Sequence, residues 1–225
     1  MLLAVKSAPD KKIFASANKA KIPGLELFLS RAILSDTRSI RSLCGDFPFR
    51  YAVHAPNDSY DPPRLAGLVK AIGARVVTFH NIFWEDEWPP IVRAFKGIDA
   101  KLCIENTFGA HDAVKFIRRY GFGATLDLEH LEMECGGVYE DEFLTVMRKA
   151  SHIHMTGYTA RSPRWHTHIH HAPAHSRYLL DLLRSSGYAG LVVSESRVSL
   201  QTFEEFRKVH DFFERWQEQK RGVGA

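Results

Sequence analysis

"RYAVHAPNDSYDPPRLAGLVKAIGARVVTFHN", residues 50–81, contains the repeating unit that decides the fold of this chain. Two apolar runs rich in β-branched residues, 50–55 and 75–80, flank a segment of helical period at 64–74. A strand followed by a helix and then by another strand predicts two parallel strands joined by a right-handed crossover.

The same alternation continues along the whole chain. Strands are predicted at 2–7, 24–30, 50–55, 75–80, 101–106, 123–128, 151–156 and 190–195. Helices are predicted at 10–20, 64–74, 89–99, 110–121, 141–150 and 176–190, and the link at 31–49 is expected to be only partly helical. Eight strand–helix units predict an α/β fold, a single (β/α)8 TIM barrel. An open doubly wound sheet is the competing interpretation, but no GxGxxG follows the first strand.

The domain prediction is one barrel over residues 1–225. No linker or low-complexity segment divides the chain. A C-terminal helix at 200–220 carries aromatic residues at helical spacing, and we expect it to pack on the barrel.

Composition narrows the class of protein. The 225 residues are 45% hydrophobic and 25% charged, which is typical of a protein that buries a core. Three cysteines without CxxC spacing predict a reducing, cytoplasmic setting. The start, "MLLAVKSAPDKK", is not expected to be a signal peptide, and no apolar run approaches the ~20 residues of a membrane span. The net charge of +4 permits an anionic partner without requiring one, because Lys and Arg are spread.

Polar residues recur where the predicted strands end. In a (β/α)8 barrel these ends meet at the face that carries the active site. A charged group in an apolar strand is costly to bury unless it is paired or bound to a cation. Imidazoles with carboxylates suit Zn²⁺, Mn²⁺, Fe²⁺ or Co²⁺, and carboxylate-rich sites also suit Mg²⁺. The residues concerned are Glu26, His54, His80, Glu105, Asp127, His130, His152, His154 and Glu195.

Six segments resemble the xylose isomerase-like superfamily of barrels, which includes sugar (phosphate) isomerases and epimerases and endonuclease IV. They are "VHAP" (53–56), "TFHN" (78–81), "IENTFG" (104–109), "LDLEH" (126–130), "HIHMTG" (152–157) and "GYAGLVVSE" (187–195). The resemblance implies that Glu105, Asp127, His154 and Glu195 bind one divalent metal. In the endonuclease branch His54, His80 and His130 would add ligands. Gly157 departs from the pattern, because the family usually has Asp there.

The resemblance implies a metal-dependent sugar (phosphate) isomerase or epimerase that works through an enediolate. Glu105 and Glu195 would be the catalytic proton-transfer groups. The alternative is an endonuclease IV-like, multi-metal phosphodiester hydrolase; lyase chemistry and a metal-binding barrel without activity also stay open. The implied partner is a small sugar or sugar phosphate. The alternative function would instead act on nucleic acid. No membrane partner is expected, and assembly as a homodimer stays open.

The histidine-rich stretch "WHTHIHHAPAH", 165–175, follows the seventh strand. Either His166 or His168 is predicted to reach the barrel mouth and bind substrate, and the other three histidines are assigned to the loop surface. The competing interpretation is an exposed, titrating loop. Trp84 and Glu26 are further candidate substrate-binding residues, although packing and a salt bridge, respectively, would explain them equally well.

Overall fold

A computed structural model describes residues 1–107, 110–135, 147–159 and 164–221. Eight parallel strands close into a barrel in sequence order, and β8 pairs back onto β1 with Leu191 opposite Leu2. The predicted single (β/α)8 barrel is therefore confirmed. The strands are β1 (Leu2–Ser7), β2 (Gly24–Phe28), β3 (Arg50–His54), β4 (Val76–Phe79), β5 (Lys101–Glu105), β6 (Gly123–Asp127), β7 (Ala150–Met155) and β8 (Leu191–Ser194).

Helices surround the barrel. Within the described ranges they are α1 (Lys11–Lys19), α2 (Arg31–Ser35), α3 (Thr37–Gly45), α4 (Pro62–Ile72), α5 (Trp88–Ala94), α6 (Ala110–Tyr120), α7 (Leu128–Cys135), α8 (Pro173–Ser185) and α9 (Phe203–Arg221). Two short 3-10 turns lie at Ile169–His171 and Val198–Leu200. The helix predicted at 141–150 lies mostly outside the described residues.

The link at 31–49 is more helical than predicted. It forms α2 and α3, which meet at Asp36. The Ser30 hydroxyl accepts from the Ile33 N–H at 3.3 Å, and the Asp36 carboxylate accepts from the Ser39 N–H at 3.1 Å. Each side chain satisfies a backbone donor that the first helical turn leaves free, so both short helices have a defined start.

The aromatic stripe of the last helix is buried. α9 packs against α1, and Trp216 donates its indole N–H to Asp181 Oδ1 at 2.9 Å. Burying one such apolar side chain contributes about 2–3 kcal/mol. The buried residues are Phe206, Val209, Phe212, Phe213 and Trp216.

Two further sequence expectations concern the cysteines and the membrane. Cys44 and Cys103 are free and buried, and the side chain of Cys135 lies outside those described. Among the described residues, no helix combines the length and the apolar character that crossing a membrane requires.

Candidate active site

The carboxyl ends of the strands bring one cluster of ionisable side chains to the barrel mouth. We call it the mouth cluster. Because the strands are parallel, each of the eight contributes a residue to this end, either from the strand itself or from the position that follows it. His130 joins them from the start of α7. Its members are Lys6, Glu26, His54, His80, Glu105, Asp127, His130, His152, His154 and Glu195.

His154 lies at the centre of the mouth cluster and is fully buried. Its Nδ1 is 2.9 Å from Glu195 Oε1, 3.4 Å from Glu105 Oε2 and 3.8 Å from Asp127 Oδ2. Three carboxylates of the predicted one-metal set therefore converge on one nitrogen of its fourth member, His154. Burial alone would lower the pKa of His154, but the surrounding carboxylates, Glu26 first, raise it well above its ordinary value.

Glu26 lies beneath this centre rather than in the cavity. Its carboxylate contacts His152 Nε2 and lies 3.0 Å from His154 Nε2. Burial would raise the pKa of Glu26, but the charges of His154 and His152 lower it well below its ordinary value. An ionised carboxylate behind the ring fixes the orientation of His154. Carboxylates that do not touch the metal commonly orient a histidine ligand in this way.

Two histidines, at the ends of β3 and β4, contact the Glu105 carboxylate. His54 Nε2 and His80 Nε2 lie 3.2 and 3.3 Å from its Oε2. His54 Nδ1 lies 3.1 Å from the Ala55 carbonyl, and this oxygen and Glu105 Oε2 both only accept, so a neutral His54 can donate to one of them. In the tautomer that carries its proton on Nδ1, His54 Nε2 and Glu105 Oε2 are two electron-rich atoms that face each other, an arrangement that a cation or the N–H of His80 would stabilise.

Asp127 and His130 complete the opposite side of the mouth. Asn106 holds the end of β6 by accepting from the Asp127 N–H at 2.7 Å and donating to its carbonyl at 3.0 Å. His130 Nδ1 lies 3.2 Å from Glu105 Oε1 and 3.7 Å from Asp127 Oδ2. Burial and the charge of Glu105 raise the pKa of Asp127 to about 6. Burial opposes the charged form of His130, but its contact with Glu105 raises its pKa to about 9.

Lys6 is a member of the mouth cluster that the sequence reasoning missed. Its Nζ lies 2.5 Å from Glu195 Oε1 and 3.7 Å from Glu26 Oε1. Burial would lower the pKa of Lys6, but Glu195 and Glu26 raise it above its ordinary value. In return Lys6 and His154 outweigh the effect of burial on Glu195 and lower its pKa. The sequence does contain a signal for this position, because Lys6 is a charged residue near the end of the apolar strand "LLAVKS".

The side chains present fit a divalent cation. Within the described part of the chain, Nδ1 of His154 and Nδ1 of His130 are buried and make no hydrogen bond. Four carboxylates share this buried space, and Lys6 with the protonated forms of His130 and His154 would supply three positive charges against them. One divalent ion would supply the charge of the two protonated histidines. Imidazole with carboxylates is a donor set that Zn²⁺, Mn²⁺, Fe²⁺ and Co²⁺ accept.

A cavity of about 650 Å³ opens above the mouth cluster. Apolar side chains from the first two units, among them Ile13, Phe28 and Ile33, form one wall. The size lies within the range of small-molecule pockets. Its polar lining residues include Lys6, His54, His80, Glu105, His130, His166, Glu195 and Arg197.

The structure separates the two candidate histidines of the 165–175 stretch. His166 lines the cavity, and its Nδ1 lies 3.0 Å from Glu129 Oε1. His168 is fully buried and faces away from the cavity, with Nδ1 2.9 Å from Ser194 Oγ and Nε2 3.2 Å from the Leu200 carbonyl. Of the two, only His166 is placed to meet a substrate in this cavity.

Glu129 is a second residue that the sequence reasoning missed. It is buried, and its Oε2 accepts from the Thr156 hydroxyl at 2.5 Å and from the His166 N–H at 3.1 Å. Glu129 thus ties the loop after β7 to α7. No periodicity in "LDLEH" distinguishes its carboxylate from a solvent-facing one.

Gly157 and Trp84 also differ from simple expectation. A Cβ on Gly157 would lie 2.5 Å from the His168 carbonyl, so the loop in this position leaves no room for a side chain. Trp84, predicted to bind substrate, is 80% exposed and is not among the residues that line the cavity. The backbone N–H of Trp84 donates to Glu87 Oε2 at 2.7 Å, and its ring faces solvent.

No protein-family model matches the chain, and no curated protein sequence matches it. Similar solved structures cover nearly the whole chain. A Thermus thermophilus protein from a crystal soaked with ZnCl2 has a TM-score of 0.70 at 15% identity, covering 96% of this chain and 99% of its own. A D-allulose 3-epimerase from Methylomonas sp., in complex with D-allulose, has a TM-score of 0.66 at 13% identity, covering 96% of each chain.

A xylose isomerase domain protein from Planctomyces limnophilus has a TM-score of 0.61 at 11% identity, covering 99% of this chain and 97% of its own. Identities this low establish a shared architecture and leave chemistry to be argued from the residues. At the level of the fold, the chain shares the architecture of these structures.

Proposed function

We propose that the protein is a metal-dependent isomerase or epimerase of a sugar or sugar phosphate. The observation that carries this proposal is the convergence of Glu105, Asp127 and Glu195 on His154 Nδ1, with Glu105 and Glu195 also lining the cavity. A monosaccharide is small enough for about 650 Å³. The similar epimerase structure that contains D-allulose makes ketohexoses the first substrates to test.

Glu105, Asp127, His154 and Glu195 would hold the cation, and Zn²⁺ and Mn²⁺ are the first ions to test. When bound, a divalent cation stabilises negative charge that develops on the oxygens of the substrate. The remaining steps depend on side chains of the protein.

Glu105 and Glu195 are the proposed proton-transfer groups. Both line the cavity, and neighbouring cationic side chains lower the pKa of each carboxyl, so both are ionised and can act as bases. One of them removes the proton from the carbon next to the carbonyl. Return of that proton to the neighbouring carbon, with a proton moving from one substrate oxygen to the other, gives an isomer. Return of a proton to the same carbon from the opposite face gives an epimer; the other glutamate donates it after taking a proton from water, and the first glutamate then releases its proton to water.

Other residues of the cavity would position the substrate. Lys6 holds Glu195 in its ionised form through the 2.5 Å contact. His166 and Arg197 face the cavity from the loops after β7 and β8, where they can donate to hydroxyls or to a phosphate group.

The test is conversion of a panel of ketohexoses and their phosphates by protein loaded with Zn²⁺ or Mn²⁺. Glu105→Gln and Glu195→Gln should each lower kcat by about 10²–10⁴-fold, the usual contribution of a proton-transfer group. Glu85→Gln is the matched control, because this exposed carboxylate pairs with Lys115 and Arg119 and is not among the residues that line the cavity. Equal activity of all three variants would overturn the proposal.

One observation favours a phosphodiester hydrolase as a second candidate. His54, His80 and Glu105 form another group that could hold a cation, and Glu105, Asp127 and His130 form a third. Two or three cations clustered in this way are the arrangement that activates water against a phosphodiester. Cleavage of DNA at an abasic site, without any ketohexose conversion, would select this candidate.

A further inference from the structure

A second group of metal-binding side chains lies outside the mouth cluster. The 3-10 turn Ile169–His171, in the loop after β7, contacts the first turns of α9. There His171 Nε2 lies 2.8 Å and His170 Nε2 3.2 Å from the same oxygen, Glu205 Oε2. One ligand atom from each residue lies within 4.8 Å of the other two. We call these three residues the outer triad.

The backbone holds the turn of the outer triad in place. His171 N–H donates to the His168 carbonyl at 2.9 Å, and the Ser176 hydroxyl donates to the Ile169 carbonyl at 2.7 Å. Ile169 itself is fully buried. The backbone therefore holds the two histidines close together before an ion binds, which reduces the entropy cost of binding.

Solvent exposure differs among the three side chains in a way that suits an exchangeable ion. The side chains of His170 and Glu205 are each 13% exposed, whereas that of His171 is 32% exposed. The ligand atoms are thus partly shielded, and one side of the triad stays open to water.

The second oxygen of Glu205 has a different partner. Lys208 Nζ lies 2.7 Å from Oε1, so the lysine orients the carboxylate and leaves Oε2 to the histidines. Lys208 is on the exposed surface, with 53% of its side chain accessible to solvent.

We propose that His170, His171 and Glu205 form a second divalent-metal site, of the Zn²⁺ class, on the outside of the barrel. Two histidines and one glutamate are a known zinc donor set that leaves one coordination position for water. An ion there would fasten the loop after β7 to α9. The same loop carries His166, which faces the cavity, so the outer triad would steady a substrate-contacting segment without touching the substrate. This site does not depend on the proposed isomerase activity.

The experiment measures zinc bound per chain. Protein purified without a histidine tag is stripped with EDTA, equilibrated by dialysis at a fixed free Zn²⁺ concentration, and analysed by mass spectrometry for metal. Wild type is compared with Glu205→Gln and His171→Ala. His210→Ala is the matched control, since His210 lies on the same helix and pairs only weakly with Asp211 at 3.6 Å.

We expect Glu205→Gln and His171→Ala each to bind about one zinc fewer than wild type, and His210→Ala to bind as much as wild type. The same loss should occur when either change is added to Glu105→Gln, which separates the outer triad from the barrel mouth. Circular dichroism checks that each variant is folded, and the partly exposed His171 provides the milder change. Unchanged zinc content in folded Glu205→Gln or His171→Ala would overturn the proposal and leave the triad as an ion pair.

Discussion

Replacing Gly157 by alanine tests the placement of the loop after β7. A Cβ at this position would lie 2.5 Å from the carbonyl oxygen of His168 and 2.9 Å from the hydroxyl of Thr167. Real Cβ atoms do not approach other heavy atoms so closely. The Gly157 N–H also donates to the Thr167 carbonyl at 2.7 Å, so the backbone cannot move away without losing a hydrogen bond.

The expected loss in the free energy of unfolding is about 1–3 kcal/mol, the usual cost of forcing an extra methyl group into packed structure. Gly67→Ala is the matched control with the opposite sign. Gly67 is exposed within α4, and a Cβ there would meet no atom within 4 Å. Alanine in the middle of a helix stabilises by about 0.5–1 kcal/mol relative to glycine.

The assay is urea unfolding of both variants and wild type, with a shift in midpoint at constant slope read as a change in stability. Gly157→Ala should unfold at lower urea and Gly67→Ala at higher urea. If Gly157→Ala unfolds at the wild-type midpoint while Gly67→Ala is stabilised, the loop does not pack against Gly157 as described, and the position of His166 would have to be revised.

Three further results are expected. Burial raises the pKa of Cys44 to about 11 and of Cys103 to about 12, so at pH 8 both are neutral thiols. In Cys135→Ser protein, Ellman's reagent should therefore react with neither cysteine until denaturant is added. Rapid reaction of the folded chain would contradict their burial. His168→Ala should lower the free energy of unfolding by about 1–3 kcal/mol, because the Leu200 carbonyl loses its side-chain partner and the Ser194 hydroxyl keeps only the Ile169 N–H. His166→Ala should raise KM with little change in stability, since 46% of its side chain is exposed; an unchanged KM together with a marked loss of stability would reverse the assignment.

Strand positions were predictable to within one or two residues. A strand of a parallel barrel is buried on both faces and reads as a short, nearly continuous apolar run. β1 matches the predicted range 2–7 at both ends. α2 and α3 were not separable by periodicity, because helices of five and nine residues complete too few turns and depend on Ser30 and Asp36 for their starts.

The side chains that meet at the mouth were predictable from one rule, a charge at the end of an apolar strand. The rule picked out Glu105 and Asp127, which the structure brings to the same centre. It applies equally to Lys6, although a lone lysine usually reaches solvent through its long side chain. No sequence rule chose between His166 and His168, because the loop has no period and His166 adopts a positive φ of 46°.

Hydrogen exchange at carbon tests the central claim most directly. The metal-loaded protein is incubated in D2O with D-allulose and other ketohexoses, and deuterium next to the carbonyl is measured by NMR. Proton transfer by Glu105 and Glu195 predicts deuterium in the epimer formed by wild type and Glu85→Gln, and loss of that deuterated epimer in both Glu105→Gln and Glu195→Gln. Conversion of a sugar without deuterium incorporation under slow turnover, or equal incorporation by the glutamine variants at the mouth, would contradict it.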